Sequence, residues 1–244
     1  MEYRSIALLG LLASLLFASS TWGGSIQAAS AGVTFTIPEP AGLVAMKNAS
    51  APYYTFNDDI QKRSGNKLLA LMLPPKDAKA ADAGELPSPE RWFVLFSNVR
   101  MSTRSVSVRE FRNGRDELIA GLEKSMGGKL VEGVNAKTNA ALGELLKERA
   151  GAPGDAKLNI GSLMLLGLYA REDSYITYGA VAKVAITADG KTETVPLVMI
   201  MSVAVANERL VNVAFYRRMK GREDIDASKA DMAAWMQQFL KANR

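Results

Sequence analysis

Histidine and cysteine are both missing from this chain, and the two absences remove whole classes of chemistry. Without imidazole there is no Ser-His-Asp or Cys-His nucleophile, no His-ligated zinc or haem, and no imidazole general base. Without thiols no disulfide holds the fold, so stability must come from a full hydrophobic core. The same lack excludes a lipoprotein anchor, which needs a cysteine after an apolar leader. Internal repeats and low-complexity tracts are also lacking. So is any Lys/Arg stripe with interleaved aromatics, the pattern that would point to nucleic acid. What is present is ordinary: 48% hydrophobic and 23% charged residues describe a globular protein, neither disordered nor membrane-embedded. The net charge of +5 favours anionic surfaces such as phospholipid headgroups or acidic glycans.

The chain opens as a secretory leader does. A charged start, Met1 to Arg4, precedes an apolar stretch from Ile6 to Ala18. That stretch is shorter than the roughly 17 to 25 residues a spanning helix needs. Small residues follow, and both Ala28-Ala29-Ser30 and Ala29-Ser30-Ala31 fit the small-x-small rule for cleavage. Ala18-Ser19-Ser20 is an earlier option. The expectation is a cleavable signal peptide over 1–31, then one domain over 32–244 without a transmembrane helix.

The ribbon from Ile160 to Arg217 organises that domain. Leu163 to Leu168 is wholly apolar, and Tyr178 to Thr187 alternates with a period of two, the mark of a strand with one buried face. Asp189-Gly190 suits a hairpin turn. Val195 to Ala206 is apolar on both faces, which predicts a central strand covered on both sides. After Asn207-Glu208, Leu210 to Arg217 alternates again. Four strands joined by short turns predict an antiparallel meander. Ala227 to Ala242 reads as the helix that covers it, with Met232, Trp235, Met236, Phe239 and Leu240 as its stripe and Ser228 with Asp231 as a capping box.

Upstream, Val33 to Ile37 predicts a short strand, with Leu43 to Met46 as its partner. Pro52 just inside a helix start and Tyr53, Phe56 and Ile60 at helical spacing predict a helix ending near Gly65. Asn66 to Leu73 and Arg91 to Met101 predict strands, and Lys76 to Glu90 a flexible loop. Ser107 and Glu110 match a capping box for a helix that ends at Gly127-Gly128. A further helix is expected from Thr138 to Ala150. The fold class is therefore α+β: a largely antiparallel sheet of about seven strands with helices packed on both faces.

Candidate chemistry is sparse. Carboxylates at Asp58-Asp59, Glu144 with Glu148, and Asp224 with Asp226 suit acid/base work only if two converge in a cleft. Solvated helix faces and helix N-termini explain them as well. Ser228-Lys229 and Ser125 with Lys129 lack a Ser-x-x-Lys context, and Gly127-Gly128-Lys129 lacks the strand and the Ser/Thr of a phosphate loop. Arg217, Arg218, Lys220 and Arg222 form the densest basic cluster, a candidate contact for an anion or membrane surface. Tyr53, Tyr54, Trp92, Tyr169 and Tyr175 are candidate pocket aromatics for a small ligand or lipid. Met199, Met201, Met232 and Met236 read as core rather than as a soft groove. No catalytic residue, metal ligand or cofactor site is predicted.

Asn66-Lys67-Leu68-Leu69-Ala70 before a proline pair, Tyr178-Gly179 opening a strand, the Asp189-Gly190 hairpin, the run Arg209 to Tyr216 and the closing helix with Trp235 resemble features of uncharacterised exported bacterial proteins. The order of elements is similar to the PsbP-like α/β/α sandwich, a fold of accessory proteins. The resemblance implies a non-catalytic accessory or binding protein of the cell envelope, periplasmic or secreted. Its partner would be another envelope protein or an anionic surface.

Overall fold

The computed structural model describes residues 24–125, 128–150, 157–188 and 191–244. Its elements run β1 (Ser25–Ser30), β2 (Val33–Pro38), β3 (Val44–Ala45), α1 (Pro52–Arg63), β4 (Asn66–Leu73), α2 (Pro75–Asp82) and β5 (Arg91–Asn98). Then come α3 (Val108–Ser125), α4 (Gly128–Ala150), β6 (Lys157–Arg171), β7 (Tyr175–Ala188), β8 (Lys191–Ala206), β9 (Arg209–Arg218) and α5 (Glu223–Ala242). Seven strands form one sheet in the order β3-β4-β5-β9-β8-β7-β6, and β1 pairs with β2 apart from it. Every neighbouring pair is antiparallel. The α+β class and the C-terminal meander are as the periodicity requires.

The turns follow local chemistry. Asn207 and Glu208 both take positive φ, 46° and 55°, the hand that matches the twist of a two-residue hairpin. Asp189-Gly190 lies outside the described residues, but Ala188 pairs with Lys191 on either side of it. Ser107 and Glu110 make the reciprocal capping box: the Glu110 carboxylate accepts from the Ser107 amide at 2.8 Å, and Ser107 Oγ accepts from the Glu110 amide at 3.2 Å.

Alternation along the strands divides the core in two. On one face Val198, Ile200, Val213, Phe215, Phe93 and Leu95 meet α5, whose Trp235, Met236 and Phe239 are fully buried. The Trp235 ring lies 4.4 Å from Phe93 and 4.7 Å from Phe239, and its Nε1 donates to the Pro38 carbonyl at 2.7 Å. The β1–β2 hairpin packs beside α5 through Phe35 and Ile37. On the other face α1 and α2 cover β4 and β5, α3 packs Phe111 against Ile176, Tyr178 and Val205, and α4 reaches from β6 to α1.

Asparagine side chains close two strand edges. The Asn243 amide bonds both backbone groups of Thr36 in β2, at 2.8 and 2.7 Å. On α4, Asn135 and Asn139 do the same for Ile160 and Leu158 of β6, with all four bonds between 2.7 and 2.9 Å. A carboxamide presents a donor and an acceptor side by side, as a neighbouring strand does. These contacts blunt edges that would otherwise pair with another chain.

Several expectations change. The stretch 76–90 is not one loop: α2 occupies its first half, with Pro75 at a tolerated first-turn position and Ala78 and Ala81 buried. The helix expected from Thr138 begins at Gly128. The last helix begins at Glu223, so Ser228 is no cap; its hydroxyl donates to the Asp224 carbonyl within the helix at 2.6 Å. β3 pairs with β4 rather than with β2. The partner of β2 is β1, inside the stretch expected to be removed as a leader, and residues 1–23 lie outside the described residues.

Candidate functional site

The basic cluster after β9 is built into the fold. Arg217, on the last residues of β9, reaches the N-terminal half of α5, where Asp231 and Asp224 face it at 2.6 and 3.6 Å. Arg91, on the adjoining strand β5, meets the same Asp231 at 3.3 Å. Arg218 meets Glu193 at 3.8 Å and donates to Ser88 Oγ, and Lys220 pairs with Glu90 at 3.1 Å. Arg222 is exposed at the start of α5, without an ion pair among the described residues. The Asp224 carboxyl is held below its usual range by the Lys220 and Gly221 amides that donate to it, with Arg217 adding to the effect. Three of the four cations are thus already matched by carboxylates brought from β8, the β5 approach and α5.

The five aromatics do not share a pocket. Tyr53, Tyr54 and Trp92 pack in the cluster under α1 and α2, where Trp92 stacks on Tyr216 at 4.8 Å. Burial pushes the Tyr216 hydroxyl up to about 12 and raises that of Tyr53 as well. Tyr169 and Tyr175 pack with the cluster on the opposite face, beneath α5. Tyr169 lies across Gly179, where any Cβ would collide with its ring, and the Lys229 ammonium sits 4.2 Å from that ring's centre. Met199 belongs to the α4-side face and Met232 and Met236 to the α5 face, so the methionines are core.

The carboxylate candidates are engaged too. Asp58 binds Lys62 at 2.6 Å, and Arg63 bridges Asp59 and Glu144 at 2.6 Å each. Asp58, Asp59, Lys62 and Glu144 line a polar depression of about 220 Å³ between α1 and α4. Bonding to Asp58 raises the Lys62 ammonium above its ordinary value. The Glu148, Ser125 and Lys129 side chains and Gly127 lie outside what the structure describes. Ser228 and Lys229 turn to different partners, Asp224 and Asp226.

One surface escaped the reading of the sequence. From Asn98 to Arg112 the chain leaves β5, makes successive turns and enters α3. Val106 anchors it, buried in the cluster under α3, with its amide donating to the Glu208 carbonyl at 2.9 Å. Outside that anchor, Arg100, Arg104 and Arg109 are exposed, and their side chains make no hydrogen bond or ion pair among the described residues. Val99 and Val108, 55% and 45% exposed, stand among them. Glu110, at the entry to α3, is occupied by the helix cap; the Ser107 bonds lower its carboxyl, and Arg104 and Arg109 lower it further. The sequence signal was there: between Arg91 and Glu110 there is no Asp or Glu. It was diluted, because the arginines are four and five residues apart rather than adjacent.

No family model matches the chain, and no curated protein matches it. Among solved structures it is similar to a mutant of protein Mog1, with 8% identity over 91% of this chain and 96% of that one and a TM-score of 0.34. It is also similar to cyanobacterial PsbP from Synechocystis sp. PCC 6803, with 9% identity over 91% and 92% of the two chains and a TM-score of 0.26. At these scores neither likeness carries an argument about function.

Proposed function

We propose that this chain is an exported, non-catalytic binding protein of the bacterial envelope that docks on an anionic phospholipid surface. The observation that carries this reading is the ledge from Val99 to Arg109, where the Arg100, Arg104 and Arg109 side chains stand exposed without an ion pair among the described residues, beside exposed Val99 and Val108. Near an anionic bilayer each such cation contributes roughly 1 kcal/mol, so Arg100, Arg104 and Arg109 supply on the order of 3 kcal/mol, about a hundredfold in partitioning. The exposed valines add apolar contact at the headgroup boundary. The non-catalytic part of the reading is supported by Asp58, Asp59, Glu144 and Asp224, each of which already binds a cation or a backbone amide. Kinship with PsbP-like accessory proteins belongs to the same proposal and rests on the order of elements.

Vesicle sedimentation tests it. The chain should bind vesicles containing phosphatidylglycerol at low salt and release as ionic strength rises past about 0.15 M, where screening shortens to roughly 8 Å. Equal binding to phosphatidylglycerol and pure phosphatidylcholine vesicles would overturn it.

A further inference from the structure

The fold lays claim to the chain from Gly24 onward. β1 pairs with β2 along its whole length, Ser25 to Pro38 through Ser30 to Val33. The turn between them is Ala31-Gly32, with φ of 48° and 79°. Ile26 and Ala28 pack on the cluster that holds Phe35, Ile37, Trp235 and Phe239. Ser30 is 3% exposed, its hydroxyl 2.8 Å from that of buried Ser97 in β5. The Lys67 ammonium donates to the Ala29 carbonyl at 2.8 Å, and the Glu39 backbone amide to the Gly24 carbonyl at 3.0 Å. The other edge of β2 is taken by the Asn243 amide, so β1 is the strand that completes it.

Both small-x-small triplets around residue 30 would therefore sever an integral strand. Their small residues have another physical cause. Ala28 and Ser30 face inward where the hairpin lies close to the sheet, and Ala31 sits in the turn. The triplet Ala18-Ser19-Ser20 begins at the last residue of the apolar stretch and leaves β1 whole.

We propose that the mature chain begins at Thr21, through hydrolysis of the Ser20–Thr21 peptide bond by a signal peptidase. Water adds its hydroxyl to the Ser20 carbonyl carbon and its proton to the Thr21 nitrogen, freeing a carboxylate on the leader and an amine on the mature chain. This assignment rests on the export reading made above. The test is to express the full chain in a bacterial host, recover it from the periplasmic fraction, and determine its intact mass and N-terminal sequence. Thr21 is the expected first residue. A start at Ala31 or Gly32 overturns the assignment while leaving export intact; a retained Met1 overturns both. In a second arm, Ala18→Leu with Ser20→Leu should leave precursor unprocessed. Unchanged processing of that variant also overturns the assignment.

Discussion

Two basic stretches of this chain, Arg217 to Arg222 and Arg100 to Arg112, meet opposite electrostatic fates. The first is the denser in sequence, yet the fold brings Asp224, Asp231, Glu193 and Glu90 to it from three directions. The second is more spread out, and its first three arginines stay unmatched. Density of charge along the chain therefore does not measure charge offered to a partner. What counts is which carboxylates the topology delivers. The paired stretch ties β5 and β9 to α5 and works as structure; the unpaired one is free to meet something outside.

The largest expected effect that sharpens this contrast is on stability. Arg217→Ala leaves Asp224 and Asp231 without their shared cation at a site where the Arg217 side chain is 18% exposed. It should lower the unfolding free energy by about 2 kcal/mol, the usual cost of losing hydrogen bonds to charged groups, read from urea midpoints. Next, Ser107→Ala removes the cap that orients the entry of the ledge into α3. It should cost about 1 kcal/mol by the same measurement. Arg104→Ala should change stability by no more than about 0.5 kcal/mol, because that exposed side chain makes no hydrogen bond or ion pair among the described residues. A loss as large as that of Arg217→Ala would erase the distinction between the two stretches.

Acid titration gives a finer contrast. The folded Asp224 carboxyl sits below its ordinary value, so its contribution is complete above about pH 4 and fades as pH falls through the lowered value. Asp224→Asn should flatten that part of the stability profile. At the alkaline end the sign reverses. Tyr216 ionises at about 12 in the folded protein, so its contribution holds below roughly pH 10 and is lost as pH rises toward that value. Tyr216→Phe should remove this alkaline loss.

The meander was legible because period-two alternation and a doubly apolar strand leave few other arrangements for Tyr178 to Arg217. The Ser107–Glu110 cap was legible because two residue types at one spacing carry the whole mechanism. β1 was hidden, since Ala, Ser and Gln in a short strand look like the polar end of a leader. α2 was hidden by its Pro, Lys and Asp, which suit a loop as well as a helix with proline at its start. The start of α4 at Gly128 runs against a pair of glycines that reads as a stop. For the surface, what matters is pairing across the fold. Sequence spacing does not show that Arg217 faces Asp231, or that Arg100 has no ion pair among the described residues.

The most direct test places the two stretches side by side on phosphatidylglycerol vesicles at low salt. Arg100→Glu with Arg104→Glu and Arg109→Glu should weaken binding by about a hundredfold or more, while Arg218→Glu with Lys220→Glu should bind within a few-fold of the parent chain. Loss of binding in the second variant and not in the first would contradict the account.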